Sequence, residues 1–239
     1  MAMTVTVLGA CGSYPGPGMA TSGYLVRDGQ TTLWVDAGSG TLANLQRHVP
    51  ITDVDAVVLT HEHPDHWSDI NGFFVACRYY FGRERVPVYG PASVRQHVYY
   101  DDEPFQWNVV SDGDRAEVGT LSVRFSRTDH PPETLAVRVD GGGRSLAFSA
   151  DTGPAWSFSK LGDGIHLALC EATFDREYEG TVQHLSGRQA GAMARAAGVE
   201  RLVLTHLEPG NDRARTMQDA TDTFGSPVGV AEENEEYDV

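Results

Sequence analysis

The stretch Leu59-Thr60-His61-Glu62-His63-Pro64-Asp65-His66 carries three imidazoles and two carboxylates in residues 61–66, directly after the mostly apolar run 54–59. Val57, Val58 and Leu59, bounded by polar residues, read as a buried strand, so the cluster begins where the chain leaves a sheet edge. Imidazole nitrogen and carboxylate oxygen are the donors that borderline divalent ions such as zinc prefer, and carboxylate-richer sites drift toward manganese or iron. Donors this dense exceed what one tetrahedral ion takes from so short a loop. His61 and His63 can point one way and Asp65 and His66 another, which suggests two ions side by side with further ligands from elsewhere. The competing reading, a solvated turn that happens to be His-rich, fits the spacing poorly.

Outward from this loop, strand-like runs fall at 5–8, 23–26, 32–36, 54–59, 86–89, 121–127, 135–139, 145–149, 166–169 and 201–204. Helical patterns fall at 41–48, 67–81, 91–99, 188–197 and 214–223. Ser186 with Gln189 forms a capping box ahead of the fourth helix, and Gly198 closes it. The mixture predicts an α/β protein with sheets sandwiched between helices. Further donors follow strands: His130 after 123–128, Asp151 in Phe148-Ser149-Ala150-Asp151-Thr152-Gly153, and His206 after 202–205. A layered α/β protein usually places its site there. Each of these residues alone reads as a surface or capping residue; with the first cluster they complete a set. The Gly-rich stretch 9–18 lacks the lysine of a nucleotide-binding P-loop and reads as a shaped loop near the cleft. Gly141-Gly142-Gly143 reads as a hairpin turn.

A chain of 239 residues is long for one domain, but a large α/β layer structure can hold 1–239 as one unit, and no linker is visible. Residues 1–8 have neither a charged n-region nor a long apolar core, which predicts no signal peptide, no membrane span and a cytoplasmic location. Cys11, Cys77 and Cys170 show no C-x-x-C spacing and read as reduced, packed thiols. A formal net charge of -15 argues against a surface built for a long polyanion. It leaves room for a small anionic substrate, because two divalent ions bring their own local positive charge. The acidic tail 232–238 reads as a solvated terminus without a role. His48, His97 and His166 lack ligand context and read as surface, surface and half-buried strand residues. Arg78, Arg83, Arg85 and Arg95 could face a phosphate, but such arginines more often pair with neighbours such as Glu84.

The order H-x-H-x-D-H over 61–66, then His130, Asp151 and His206, resembles the metallo-β-lactamase fold superfamily of binuclear metal hydrolases, over about residues 5–230. The resemblance implies a four-layer αββα sandwich. It implies two divalent ions, zinc foremost with manganese or iron as alternatives. His61, His63 and His130 would hold one ion and Asp65, His66 and His206 the other, with Asp151 bridging. Asp36, in Trp34-Val35-Asp36-Ala37-Gly38, matches the family's early Asp, which supports the site from behind the ligands. True β-lactamases carry Cys at the position of Asp151, and the lactonase branch has a Tyr shortly after it, where this chain has Gly153, Pro154 and Ala155.

Leu169-Cys170-Glu171-Ala172-Thr173-Phe174 and His184-Leu185-Ser186-Gly187-Arg188-Gln189-Ala190 look like the H-E-A-T and G-H-S-S-x-x-Q-A segments of ribonuclease Z and its phosphodiesterase relatives, with Cys170 replacing the first segment's His. By that likeness His184 would protonate the leaving alkoxide and Glu171 would hold its ring, so Asp65, His184 and Glu171 form the expected catalytic set. Phosphodiester hydrolysis needs a nucleophile at neutral pH, neutralised phosphate oxygens and a proton for the leaving group. Two ions bridged by Asp151 and a hydroxide would supply the first two, and His184 the third. Ribonuclease Z proper carries a long RNA-gripping arm between the ligands corresponding to His130 and Asp151; residues 131–150 leave room only for a hairpin. The opening Leu8-Gly9-Ala10-Cys11-Gly12-Ser13, His184-Leu185-Ser186-Gly187 and Leu204-Thr205-His206 are similar to phosphodiesterases of this fold that cleave cyclic nucleotides. A cyclic-phosphate phosphodiesterase of phosphonate metabolism is a second near relative. The expectation is therefore a small or cyclic phosphodiester, with nucleic acid disfavoured and a homodimer implied by the family. A transfer-RNA 3′ endonuclease, a thioester or lactone hydrolase, and a non-enzymatic metal sensor are the alternatives.

Overall fold

The computed structural model describes residues 2–29, 31–98 and 103–239. In chain order its first half consists of β1 (Thr4–Gly9), β2 (Gly23–Asp28), β3 (Thr31–Val35), α1 (Thr41–Leu45), β4 (Ala56–Val58), α2 (Ile70–Val75), β5 (Val86–Gly90), α3 (Ala92–His97) and β6 (Phe105–Val109). The second half runs β7 (Arg115–Val118), β8 (Leu121–Arg127), β9 (Leu135–Gly141), β10 (Arg144–Phe148), β11 (Leu167–Glu171), α4 (Gly187–Ala196), β12 (Arg201–Thr205), α5 (Arg213–Phe224), β13 (Gly229–Val230) and β14 (Glu236–Asp238). One sheet has the order β14-β1-β2-β3-β4-β5-β6 and the other β13-β12-β11-β10-β9-β8-β7.

Strand side chains alternate between faces, so a strand buried on both sides reads as an unbroken apolar run. Leu33, Val35, Ala56 and Val58 from the first sheet join Val137, Val139, Leu146, Phe148, Leu167 and Leu169 from the second in one core between the sheets. Their alternates Leu25, Trp34 and Val57 pack with Ile70, Phe73 and Val94 of α2 and α3. On the far side Ala147, Ala168, Cys170, Leu202 and Leu204 pack with Ala190, Ala194, Ala220 and Phe224 of α4 and α5. Helix, sheet, sheet and helix are thus the four layers expected. Pairing is parallel from β3 through β6 and from β10 through β13, which collects the strand exits of both sheets along common edges.

The capping box at Ser186 and Gln189 is present, which contributes about 1 kcal/mol to starting α4. Gly142 and Gly143, both at positive φ, make the β9–β10 turn. Four readings need correction. Residues 67–81 are not one helix: α2 ends at Val75 and a π-helical turn, Ala76–Tyr80, follows. The carboxylate of Asp69, just ahead of α2, accepts from the Gly40 and Leu42 amides at the start of α1. The acidic tail is not idle. β14 pairs with β1, Glu236 accepts from Thr6 and pairs with Arg27, and Glu233 accepts from Asn44 and from the Ala20 amide. His48 is half-buried and bonds Asn234 at 3.0 Å. The arginines do not use Glu84: Arg83 donates to the carbonyls of Ile51, Thr52 and Val54, Arg78 faces Glu103, and Arg85 donates to Gln106. The helix read over 91–99 is α3; its Tyr99 lies outside the described residues.

Among the described residues no helix is long and apolar enough to cross a membrane. All three cysteines are free and buried. Burial pushes the Cys77 thiol up to about 11 and raises those of Cys11 and Cys170. Ellman's reagent at pH 8 is therefore expected to titrate less than one thiol per native chain within minutes and all three in denaturant; rapid reaction of the native chain would contradict this packing.

Candidate metal centre

Both sheets deliver donors to one place. Asp36 follows β3, and His61, His63, Asp65 and His66 follow β4; His130 follows β8, Asp151 follows β10, Glu171 ends β11 and His206 follows β12. Three of these exits turn through the left-handed region at non-glycine residues: Asp36 (φ 57°), Ala150 (φ 50°) and His206 (φ 56°). Such conformations cost of order 1 kcal/mol or more each and persist where surroundings over-determine them, commonly at functional sites. Gly12, in the Gly-rich loop, makes room: a Cβ there would lie 2.4 Å from the His206 carbonyl oxygen and 2.9 Å from its Nδ1.

The donors form two groups that meet at Asp151. In the first, His61 Nε2 lies 3.0 Å from His63 Nδ1, His130 Nε2 lies 3.3 Å from the same atom, and Asp151 Oδ2 is 3.5 Å from His61 Nε2. In the second, His66 Nε2 and His206 Nε2 are 3.2 Å apart, and Asp65 Oδ2 lies 3.2 Å from the latter. Asp151 Oδ1 is 3.3 Å from His66 Nε2 and 3.4 Å from His206 Nε2. His61, His66, His206 and Asp151 are at most 2% exposed, Asp65 and His130 are buried at 8%, and His63 is half-buried.

Supporting groups fix the rings from behind. Asp36 accepts from the Thr60 amide and hydroxyl at 2.8 and 2.9 Å and from His66 Nδ1 at 2.6 Å. With its hydroxyl proton on Asp36, Thr60 Oγ1 accepts from His61 Nδ1 at 3.1 Å. His130 Nδ1 donates to the Gln183 carbonyl at 3.0 Å. All three rings are thereby tied through Nδ1 and turn Nε2 inward, the arrangement a metal-ligating histidine needs. Sequence reading missed Thr60; its only signal was a hydroxyl residue between a buried strand and the first histidine.

The electrostatics favour a cation. Burial drives the His61 ring well below the usual imidazole range, so it is neutral and can donate a lone pair. Burial would also discharge His66, but Asp151, Asp65 and Asp36 around it outweigh that and hold its proton well above the ordinary value. Burial works against ionised Asp151 too, yet the surrounding rings, His206 foremost, hold its carboxyl well below the usual range. Asp151 Oδ1 is buried and has no well-aligned donor; its nearest polar neighbours are the His66 and His206 rings at 3.3 and 3.4 Å. A buried carboxylate oxygen without a donor costs several kcal/mol unless a cation sits beside it. Imidazole nitrogens at 3.0–3.3 Å from one another in a dry cleft pose the same demand. The residues therefore fit divalent ions. His61, His63, His130 and Asp151 form one group that could hold an ion, and Asp65, His66 and His206 another.

Beside them sits His184, whose Nδ1 donates to Glu171 Oε1 at 3.0 Å. Glu171 is wholly buried and also accepts from the Thr152 amide at 2.6 Å and the Leu185 amide at 3.1 Å. The residue at position 170 is a buried Cys in the sheet-to-helix core, so its side chain takes no part in this contact. His184, Asp151 and His206 offer donor atoms within 4.8 Å of one another.

This fold with a His/Asp cluster across its strand exits defines a metallo-hydrolase of the β-lactamase type. The β-lactamase superfamily domain profile matches residues 31–207, and the chain belongs to that superfamily. It is 33% identical to the uncharacterized protein Rv1339 of Mycobacterium tuberculosis, over all of this chain and 93% of that one. It is 31% identical to the probable metallo-hydrolase YhfI of Bacillus subtilis, over 96% and 97% of the two chains. The crystal structure of YhfI, described as a metallo-β-lactamase fold protein, superposes with a TM-score of 0.91 over 99% of each chain at 29% identity. Ribonuclease Z of Methanopyrus kandleri is 28% identical over 95% of this chain and 94% of that one.

Burial pulls the His184 imidazolium down, but the charge and hydrogen bond of Glu171 outweigh it and the ring is pushed up to about 9. A raised folded-state value stabilises the fold fully below the ordinary value of 6.5, and that contribution is lost as pH rises through about 9. In metal-free protein, His184→Gln is expected to cost on the order of 2 kcal/mol at pH 6 and little at pH 10, measured by urea denaturation. An equal cost at both pH values would contradict the pairing.

Proposed function

We propose that the protein is a phosphodiesterase dependent on two divalent ions, zinc foremost, that hydrolyses small or cyclic phosphodiesters such as cyclic nucleotides. The observation that carries this reading is the Glu171–His184 pair set against the donor cluster, because metal ligands alone suit every hydrolase of the superfamily. His61, His63 and His130 would hold one ion and Asp65, His66 and His206 the other, with Asp151, whose Oδ2 faces His61 and whose Oδ1 faces His66 and His206, between them. Bound there, the ions would supply an activated water at neutral pH and neutralise the phosphate oxygens.

The remaining work falls to the chain. Asp36 and Thr60 hold the His66 and His61 rings so that no reorientation is needed as charge develops. His184 is the only one of these rings both reachable from solvent, at 16% side-chain exposure, and held by a carboxylate outside the cluster. Glu171 keeps the proton on its Nδ1, and the opposite nitrogen, Nε2, can give a proton to the departing alkoxide. The likeness to ribonuclease Z supports a phosphodiester as the scissile bond. The β9–β10 hairpin that fills residues 135–148, and the net charge of -15, favour a small ester over a long RNA. Free buried thiols suit a cytoplasmic setting.

Two substrates separate the roles. With zinc or manganese added, Asp151→Ala is expected to abolish turnover of both bis-p-nitrophenyl phosphate and cyclic AMP. His184→Ala is expected to slow cyclic AMP by about 10²–10⁴-fold and the nitrophenyl ester by less than about tenfold, since nitrophenolate leaves without a proton. Equal losses on both esters would remove the proton-donor role, and no turnover of any phosphodiester by metal-loaded protein would remove the function.

A further inference from the structure

The hydroxyl of Thr173 sits where the metal side and the proton side of the cleft meet. Thr173 is fully buried, and its Oγ1 lies 2.8 Å from Glu171 Oε2, 2.8 Å from His206 Nδ1 and 3.2 Å from His184 Nδ1. Its backbone is pinned independently, by its own amide to Glu171 Oε2 and by the Glu208 amide to its carbonyl. A hydroxyl has one proton and two lone pairs, whereas an ionised carboxylate only accepts. The Thr173 proton therefore goes to Glu171 Oε2, and its lone pairs face the imidazoles. His184 Nδ1 has the nearer acceptor in Glu171 Oε1, at 3.0 Å. His206 Nδ1 has Thr173 as its only hydrogen-bond partner among the described residues. Gly12 packs against that edge of the ring, where even a Cβ would lie 2.9 Å from Nδ1.

We infer that Thr173 is a positioning residue that holds the proton on His206 Nδ1 and, through Glu171, ties His206 to His184. It does for His206 what Asp36 does for His66 and Thr60 for His61, leaving Nε2 directed at Asp65 and Asp151. One carboxylate then governs two imidazoles: His184 directly, and His206 through one hydroxyl. Glu171 thus acts on the donor cluster as well as on the proton donor. This rests on the ligand assignment proposed above as far as metal affinity is concerned; the hydrogen bond itself does not.

Thr173→Val keeps the shape and removes the hydroxyl, and Thr173→Ser keeps the hydroxyl. In metal-free protein labelled with 15N-histidine, wild type and Thr173→Ser are expected to show a His206 Nδ1–H proton protected from solvent exchange, and Thr173→Val to lose it. In zinc competition against a chelator, Thr173→Val is expected to weaken the second equivalent by about 10–100-fold and leave the first within about threefold, with Thr173→Ser restoring it. Thr173→Ala is read in the same way if the valine variant does not fold. A protected Nδ1–H in the valine or alanine variant, or zinc affinities unchanged in it, would overturn the inference. Failure of wild-type protein to take a second zinc would instead overturn the ligand assignment, and the exchange comparison would still decide the role of Thr173.

Discussion

Two buried carboxylate oxygens on Asp151, each facing a different group of imidazole nitrogens, set the terms for the rest of the molecule. Placing so many polar atoms in a dry cleft is unfavourable unless cations or protons reconcile them. Without an ion, the proton held on His66 by Asp151, Asp65 and Asp36 performs part of that reconciliation. The chain can keep this arrangement only by making the cleft rigid, because small displacements would let the donors pair with one another or with water. That rigidity has two sources: the left-handed exits at Asp36, Ala150 and His206, and the hydrogen bonds behind each ring.

The two sheets share the task. The first supplies Asp36 and the dense loop after β4, and the second supplies His130, Asp151, Glu171 and His206. Neither sheet holds a complete set, so the packed core between them is what fixes the distance from His61 to Asp151. Tyr24 of the first sheet, whose hydroxyl bonds Thr205 of the second at 2.6 Å and whose ring lies 4.7 Å from Phe148, clamps the sheets one residue away from His206. Loss of packing here would act on the cleft without touching a donor.

Much of this was legible in the chain. Runs such as Val54 to Leu59 announce strands buried on both faces, and donors placed just past them announce where those strands end. What failed to show was structure whose signal is tertiary. β14 lies in an acidic tail because Glu236 and Asp238 point outward while Tyr237 and Val239 cover the core. The α-helix after the loop gives way to a π-helical turn at Ala76, where the apolar periodicity runs out toward exposed Tyr79 and Tyr80. Thr60 belongs to no motif and Thr173 only closes the H-E-A-T-like segment; what their hydroxyls do follows from the direction of their hydrogen bonds, which is set by the tertiary structure.

The proposed function requires the cleft to hold two ions. Zinc titrated into metal-free protein, followed by equilibrium dialysis and metal analysis, tests that directly. It predicts saturation at two ions per chain, falling to at most one tightly held ion in Asp151→Ala. Saturation of the wild-type chain at one ion or none would contradict it.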